Sequence, residues 1–164
     1  MAPPEPVVVG VISDTHGLVR PEALAALAGV DHIVHAGDVG GQAVFDALAA
    51  IAPVTVVRGN NDRDRWGRSL PETAEVRLGG ARIYAIHDLA ELAVDPRAAG
   101  IAVVVSGHSH KPAQSYDRDV LYLNPGSAGP RRFKLPICLA KLHLGAGAPA
   151  VEFVDLVPPA RAGS

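Results

Sequence analysis

The chain alternates short apolar runs with polar loops, and the spacing of its apolar positions changes partway along. Val7-Val8-Val9-Gly10-Val11-Ile12 is a nearly continuous β-branched run, which predicts a strand buried on both faces. Pro21 opens an Ala- and Leu-rich stretch, residues 21–28, that predicts a helix with proline in its first turn. Residues 31–36 predict a second strand and residues 53–57 a third. Between them, residues 42–51 predict a helix with Val44, Leu48 and Ile51 on one face. A β-α-β-α-β order implies parallel strands joined by right-handed crossovers.

Beyond Asp62 the pattern shifts. Residues 63–73 read as a long polar loop carrying Trp66 and Pro71, and residues 75–78 and 82–86 flank Gly79-Gly80 as a hairpin. Residues 91–99 carry a weaker helical pattern broken by Pro96, and residues 101–106 predict another buried strand. Short strands follow at residues 114–116, 120–123, 137–143 and 150–157. The whole predicts an α/β protein of two packed sheets flanked by helices. A length of 164 residues fits one domain spanning 1–164, with 1–6 and 158–164 expected as flexible tails.

Composition narrows the function classes. Apolar residues make up 48% and aromatics only 4%, so Val, Ala, Leu and Ile must build the core. A net charge of −2 argues against the broad basic surface that duplex nucleic acid requires. This reading finds no Lys/Arg run interleaved with aromatics, which argues against long single strands and leaves short oligonucleotides, cyclic nucleotides and dinucleotide diesters open. The single cysteine, Cys138, excludes an intrachain disulfide and reads as a buried inert thiol. Residues 1–6 lack a basic leader, the apolar stretch 7–12 is too short for a signal core, and no run reaches membrane-span length. A cytoplasmic protein with no membrane partner is expected. An apolar-rich small domain is also compatible with a homo-oligomer.

Candidate chemistry lies at the strand ends. Asp14-Thr15-His16, Gly37-Asp38, Gly59-Asn60-Asn61-Asp62, His87 and Gly107-His108-Ser109-His110 each follow an apolar run. The C-terminal ends of strands are where an α/β protein assembles a site from several loops. Asp14 and His16, like His108 and His110, stand two apart, a spacing that in extended backbone points both side chains one way. The mixture of carboxylate, amide and imidazole donors suffices for two divalent ions and suits Mn²⁺, Fe²⁺, Zn²⁺ or Ni²⁺ better than Ca²⁺ or Mg²⁺. His32, His35 and His143 fall within strand patterns and read as structural.

This ordered set closely resembles the calcineurin-like metallophosphoesterase family, in particular its small bacterial and archaeal phosphodiesterases without a cap domain. The resemblance runs from Val8 to about Val154 and includes Asn124-Pro125-Gly126-Ser127. It implies the metallophosphoesterase fold, a four-layer α/β sandwich of two mixed sheets flanked by helices. It also implies one metal held by Asp14, His16 and His110, a second held by Asn60, His87 and His108, and Asp38 bridging them. Mn²⁺ is the first choice for both. Two cations about 3.5–4 Å apart hold a bridging water and present hydroxide in line with a phosphorus. Asp38, Asn61 and Asp62 form the expected catalytic group, with Asp62 supporting the Asn60-Asn61 loop; Asn61, Arg58 and Arg131, with Arg132 beside it, are the expected substrate contacts.

Two positions depart from the family pattern. Asn61 stands where larger members carry histidine, and an amide donates a hydrogen bond but is no general acid at neutral pH. An open site without that acid favours phosphodiesters or activated monoesters over ordinary monoesters, and small or activated phosphodiesters are the expected substrates. Asp88 stands where glycine is usual, and reads as a loop residue in preference to one orienting an imidazole. A eukaryotic retromer sorting subunit uses this minimal fold as a protein-interaction scaffold, and a nuclease for short oligonucleotides shares the chemistry. All seven ligand positions hold competent side chains, which favours the enzyme.

Overall fold

A computed structural model describes residues 4–157; of the tails expected at 1–6 and 158–164, residues 1–3 and 158–164 lie outside the described residues. Strand β1 (Val7–Ile12) pairs in parallel with β2 (His32–His35), which pairs in parallel with β3 (Val54–Val56). Helices α1 (Pro21–Leu27) and α2 (Gln42–Ala49) make the two crossovers. Two late strands, β9 (Ile137–Leu144) and β10 (Ala150–Val157), return antiparallel to complete a sheet of order β10-β9-β1-β2-β3. The second sheet has the order β4-β5-β6-β8-β7, built from β4 (Thr73–Leu78), β5 (Ala81–Ile86), β6 (Val103–Val105), β7 (Pro112–Asp117) and β8 (Val120–Pro125). Its inner strands β5, β6 and β8 are parallel.

The two sheets pack face to face over a core of Val9, Val11, Val34, Val57, Ile83, Val103, Leu121 and Leu142. The other face of β1 meets the helices, where Ile12 and Ile33 bury against Ala23, Leu27, Val44 and Leu48. Strand β1 is thus covered on both sides, as its unbroken apolar run requires. Gly10 serves that packing, since a Cβ there would collide with the Leu27 side chain.

Two segments differ from the sequence expectation. The polar loop 63–73 contains a short helix, α3 (Arg65–Arg68), whose cap Asp64 accepts a hydrogen bond from the Gly67 N–H at 2.8 Å. Trp66 turns inward from it to pack on Phe45, with ring centroids 5.9 Å apart, and so anchors the segment. The stretch 91–99 is not helical: a 3-10 turn at Leu89–Glu91 is followed by turns through Pro96. Proline supplies no N–H and constrains the residue before it, so the ladder stops there. Consequently the layer outside the second sheet is largely irregular, with Ile101 packing on Ile86, Val104 and Val120.

Candidate metal centre

All the loops that leave the C-terminal ends of β1, β2, β3, β5 and β6 meet at one edge of the two sheets. The first two are stitched together beyond their strands, the Asp14 N–H donating to the Gly37 carbonyl at 3.0 Å and the His16 N–H to the Asp38 carbonyl at 2.9 Å. Five residues here have left-handed backbone: Asp14, His16, Asp38, His108 and His110, with φ between 49° and 71°. The extended i, i+2 geometry expected for Asp14/His16 and His108/His110 is therefore not what makes them converge. Each pair is brought together by two left-handed kinks. Asp and His tolerate that region better than most residues, yet each such residue still stores strain of about 1 kcal/mol or more.

Glycines make the close approach possible. A Cβ on Gly59 would collide with the Asp38 carboxylate and backbone, and one on Gly107 would collide with Ser13 and lie 2.7 Å from Asp14 Oδ2. One on Gly37 would lie 2.7 Å from His87 Nδ1.

The side chains form two overlapping sets of donor atoms, Asp14-His16-His110 and Asp14-Asp38-His87. Asp14 Oδ1 lies 3.3 Å from His110 Nε2, 3.8 Å from His16 Nε2 and 3.9 Å from His87 Nε2. Asp38 Oδ2 lies 3.4 Å from His87 Nε2 and 3.7 Å from His16 Nε2. Donor atoms each about 2.1 Å from one cation stand about 3–3.5 Å from each other, so these gaps are close to ligand–ligand spacings. Asn60 Oδ1 completes the second set, 3.0 Å from His87 Nε2 and 3.3 Å from His108 Nδ1.

Hydrogen-bond accounting shows what the cluster lacks. Asp14 Oδ2 is satisfied by the Ser13 hydroxyl at 2.6 Å and the His108 N–H at 3.1 Å, but Oδ1 has no partner, nor do His16 Nε2 and His110 Nδ1. His87 Nδ1 donates to the Ala36 carbonyl at 2.7 Å. In the neutral ring, Nε2 then presents a lone pair to the oxygens of Asn60 and Asp38. Acceptor faces acceptor, and only a proton or a cation between them resolves it. Buried groups of this kind are too costly to leave unpaired, so the donor set fits divalent metal ions.

Ionisation follows from the same contacts. Burial alone would raise the Asp38 carboxyl, but hydrogen bonds from His87 and Asn61 outweigh it and hold the group well below the ordinary carboxylate range. Burial lowers His87, and its bonds to Asp38 and Ala36 more than reverse this, leaving it above the ordinary imidazole value. Burial lowers His110 against the pull of Asp14, and the nearby Arg132 charge adds to the lowering.

Beyond the ligands, the expected site residues divide. Asn61 is held at the centre, its backbone N–H donating to Asp38 Oδ1 at 2.8 Å and its side-chain amide to Asp38 Oδ2 at 3.1 Å. Asp62 is buried, and its carboxylate accepts the N–H groups of Val39, Gly40 and Gly59 at 2.9–3.2 Å. It fastens two loops and offers nothing to a reacting group. Arg58 pairs with Glu72 at 2.7 Å and lines a cleft of about 400 Å³ beside His87, Asp88 and His108. Arg131 lines a different hollow, with Lys134, Pro136 and Asp155; the arginine whose charge reaches the ligands is its neighbour, Arg132. Asp88 accepts the Ala90 N–H at 3.0 Å as a cap, with its other oxygen 3.9 Å from His108 Nε2.

Three supports had no site role in the sequence expectation: His35, read as structural, Asn124, named only within its four-residue signature, and Ser13. Fully buried His35 bonds Thr15 Oγ1 at 3.0 Å and accepts the Gly37 N–H at 3.1 Å, and burial pushes its imidazole down to about 3. Ser13 and Asn124 complete them: Asn124 donates to the Gly107 carbonyl at 3.0 Å and to Ser109 Oγ at 3.1 Å. The tie of Thr15 and Gly37 to a strand-end histidine was the available signal, since His35 ends its strand just before Gly37-Asp38.

Comparison with known proteins agrees with this geometry. Residues 7–147 match the calcineurin-like phosphoesterase superfamily domain. A probable metallophosphoesterase of Methanocaldococcus jannaschii is 37% identical over 128 residues, covering 73% of this chain and 67% of its own. A predicted phosphoesterase from Streptococcus pneumoniae TIGR4 superposes with a TM-score of 0.72 at 22% identity, covering 97% of this chain and 95% of that one. Vps29 of Entamoeba histolytica complexed with Zn²⁺ superposes with a TM-score of 0.66 at 24% identity, covering 92% and 99%. The chain belongs to the calcineurin-like phosphoesterase superfamily and has its two-sheet α/β fold.

Proposed function

We propose that this phosphoesterase hydrolyses small or activated phosphodiesters at a centre for two divalent cations, Mn²⁺ first among them. The observation that carries the reading is the convergence of buried carboxylate and imidazole atoms at ligand spacing around Asp14 and Asp38, with Asp14 Oδ1, His16 Nε2 and His110 Nδ1 left without partners. Asp14, His16 and His110 would hold one ion and Asn60, His87 and His108 the other, with Asp38 between them. Bound there, the cations supply Lewis acidity toward phosphoryl oxygens and lower the pKa of water. Zn²⁺ bound by the Entamoeba Vps29 supports a divalent ion on this fold.

The chain's own residues do the rest. Asn61 uses one amide hydrogen on Asp38, which leaves the other to meet a phosphoryl oxygen. Asp62 is a positioning residue that keeps the Gly59 and Gly40 loops in register. No amide can protonate a departing alkoxide, so leaving groups of low basicity are favoured, which sets activated esters above ordinary alkyl monoesters. The Arg58–Glu72 pair stands at the open cleft wall, where the guanidinium meets incoming phosphate charge.

The test is hydrolysis of bis-p-nitrophenyl phosphate against p-nitrophenyl phosphate by metal-stripped protein, with Mn²⁺ restored and Asp38→Asn alongside. Mn²⁺-dependent diester cleavage that the variant loses supports the reading. A folded protein with no turnover under any divalent metal makes a protein-interaction scaffold the better description.

A further inference from the structure

One segment outside the metal centre combines strain, exposure and charge that the centre does not explain. After β8 the chain runs through residues 126–136 before entering β9. The root of this loop is bound to the first ligand loop: Ser127 Oγ donates to the Asp14 carbonyl at 3.1 Å and the Ala128 N–H to the Ser13 carbonyl at 3.1 Å. Arg20 donates to the Gly129 carbonyl at 3.1 Å, so the loop is held beside the metal ligands.

Its tip is a four-residue turn closed by the Leu135 N–H donating to the Arg132 carbonyl at 3.1 Å. Phe133 fills the first central position with φ at +52°, a conformation such turns normally give to glycine. A bulky aromatic there is an outlier. Packing does not account for it, because Phe133 is 92% exposed. The left-handed Arg118 and Asp119 differ, since they are the two central residues of the tight β7–β8 hairpin, which demands positive φ. A strained aromatic held out into solvent points to function more than to folding.

The surroundings indicate a ligand. Arg131, Arg132 and Lys134 flank Phe133 in sequence, a short aromatic-basic interleaving where none was expected. Ser109, Lys111, Phe133, Lys134 and Leu135 enclose an open hollow of about 710 Å³. Ser109 stands between the ligands His108 and His110, and Ser109 and Lys111 also line the neighbouring hollow with His108 and Asp88. The two hollows share Ser109 and Lys111, so the Phe133 ring lies one hollow away from His108.

We propose that this tip is a nucleotide subsite: Phe133 stacks on a nucleobase while Lys111 and Lys134 hold the adjoining phosphate of a dinucleotide or short single strand. The placement of the scissile diester at the metal centre rests on the function proposed above. Stacking on an aromatic flanked by cations is how single strands are gripped without sequence preference. A second copy of this chain fits the surface less well, because a two-fold contact would set four cations against their own images.

The test is a fluorescence titration of the full chain, with Mn²⁺, using a dinucleotide that carries 2-aminopurine. Wild-type protein should quench the probe by stacking. Phe133→Ala should abolish the quench and weaken binding roughly five- to a hundredfold, the value of one base stack, and Phe133→Trp should restore both. Lys111→Ala with Lys134→Ala should flatten the salt dependence by about two charges. Equal affinity of wild type and Phe133→Ala would overturn the proposal, as would a dimer in sedimentation that Phe133→Ala dissociates. Quenching that persists in a protein unable to cleave bis-p-nitrophenyl phosphate would refute the hydrolytic reading and keep the subsite.

Discussion

The two ends of the parallel strands solve the same chain-reversal problem with different residues. At the far end, positive φ is given mostly to glycine: Gly29 after α1, Gly79 and Gly80 between β4 and β5, and Gly100 before β6. Only Arg118 and Asp119, in the exposed β7–β8 turn, depart from this. The ligand end uses glycine too, at Gly17, Gly37, Gly40, Gly41 and Gly126, but there Asp14, His16, Asp38, His108 and His110 also take that conformation, as does Phe133 in the loop after β8. The far end minimises local cost. The ligand end accepts strain at five donor-bearing positions, together with buried carboxylate and imidazole atoms that lack partners. Where strain and desolvation coincide, local stability has been exchanged for a fixed arrangement of donor atoms.

Crowding at the ligand end gives the largest expected effect. Gly59 has ordinary backbone, so alanine there is purely a steric change, but its Cβ would strike the Asp38 carboxylate and backbone N. Gly59→Ala should cost about 3 kcal/mol, near the upper range for overpacking. It should also reduce Mn²⁺ retention and diester hydrolysis by at least about a hundredfold, since a displacement near 1 Å can cost that much. Metal content by elemental analysis and denaturant titration check it. If Gly59→Ala keeps both metal and activity, the donor atoms are not rigidly placed and the contrast between the ends fails.

A smaller effect tests how the strained end is braced. His35 is fully buried and neutral, with Nδ1 accepting the Gly37 N–H and Nε2 donating to Thr15, whose hydroxyl donates on to the Val39 carbonyl at 2.8 Å. Burial, helped by the His87 charge, holds its imidazole at about 3 in the folded protein, against 6.5 when exposed. The unfolded chain therefore binds the extra proton first as pH falls. The stability that His35 contributes is fully present above about pH 6.5 and is lost between there and about pH 3. Between pH 7 and pH 5 the loss from this one group is about 2 kcal/mol. Urea titrations of wild type and His35→Gln at those two pH values should show this difference in slope. Parallel slopes would mean that His35 is not a buried neutral brace.

The same contrast explains what could be read from the sequence. Strand positions and the gathering of all seven donors at one edge were legible, because β-branched runs such as Val7–Ile12 report burial directly and each donor follows such a run. The mechanism of convergence was not legible. Period-two geometry assumes extended backbone, and Asp14, His16, His108 and His110 leave it. Asp62 was legible as a support of its loop and His35 as structural, but what each braces was not: their partners are backbone N–H groups and a hydroxyl from distant loops, which no local pattern records. Nothing in the sequence separates Arg131 from its neighbour, and in the fold Arg131 lines a hollow away from the donors while the Arg132 charge acts on His110. The loss of the helix expected at 91–99 shows the reverse case, a local rule about Pro96 being stronger than a faint apolar period.

The smallest effect belongs to the far end and serves as the control. Gly29 has φ at +84°, but nothing lies within 4 Å of where a Cβ would stand. Gly29→Ala therefore adds backbone strain without collision. It should cost about 1 kcal/mol, the penalty for alanine in a conformation that glycine enters freely, and lower the melting temperature by a few degrees. Metal content and diester hydrolysis should match wild type, because Gly29 closes the turn between α1 and β2 at the N-terminal side of the strand that delivers Asp38. The two alanine variants thus separate strain from occupancy. If Gly29→Ala also loses metal, strain at any turn propagates through the sheet to the donor atoms, and the ligand end is not an independently built unit. If only Gly59→Ala does, the donor geometry is set locally by the loops that meet around Asp38.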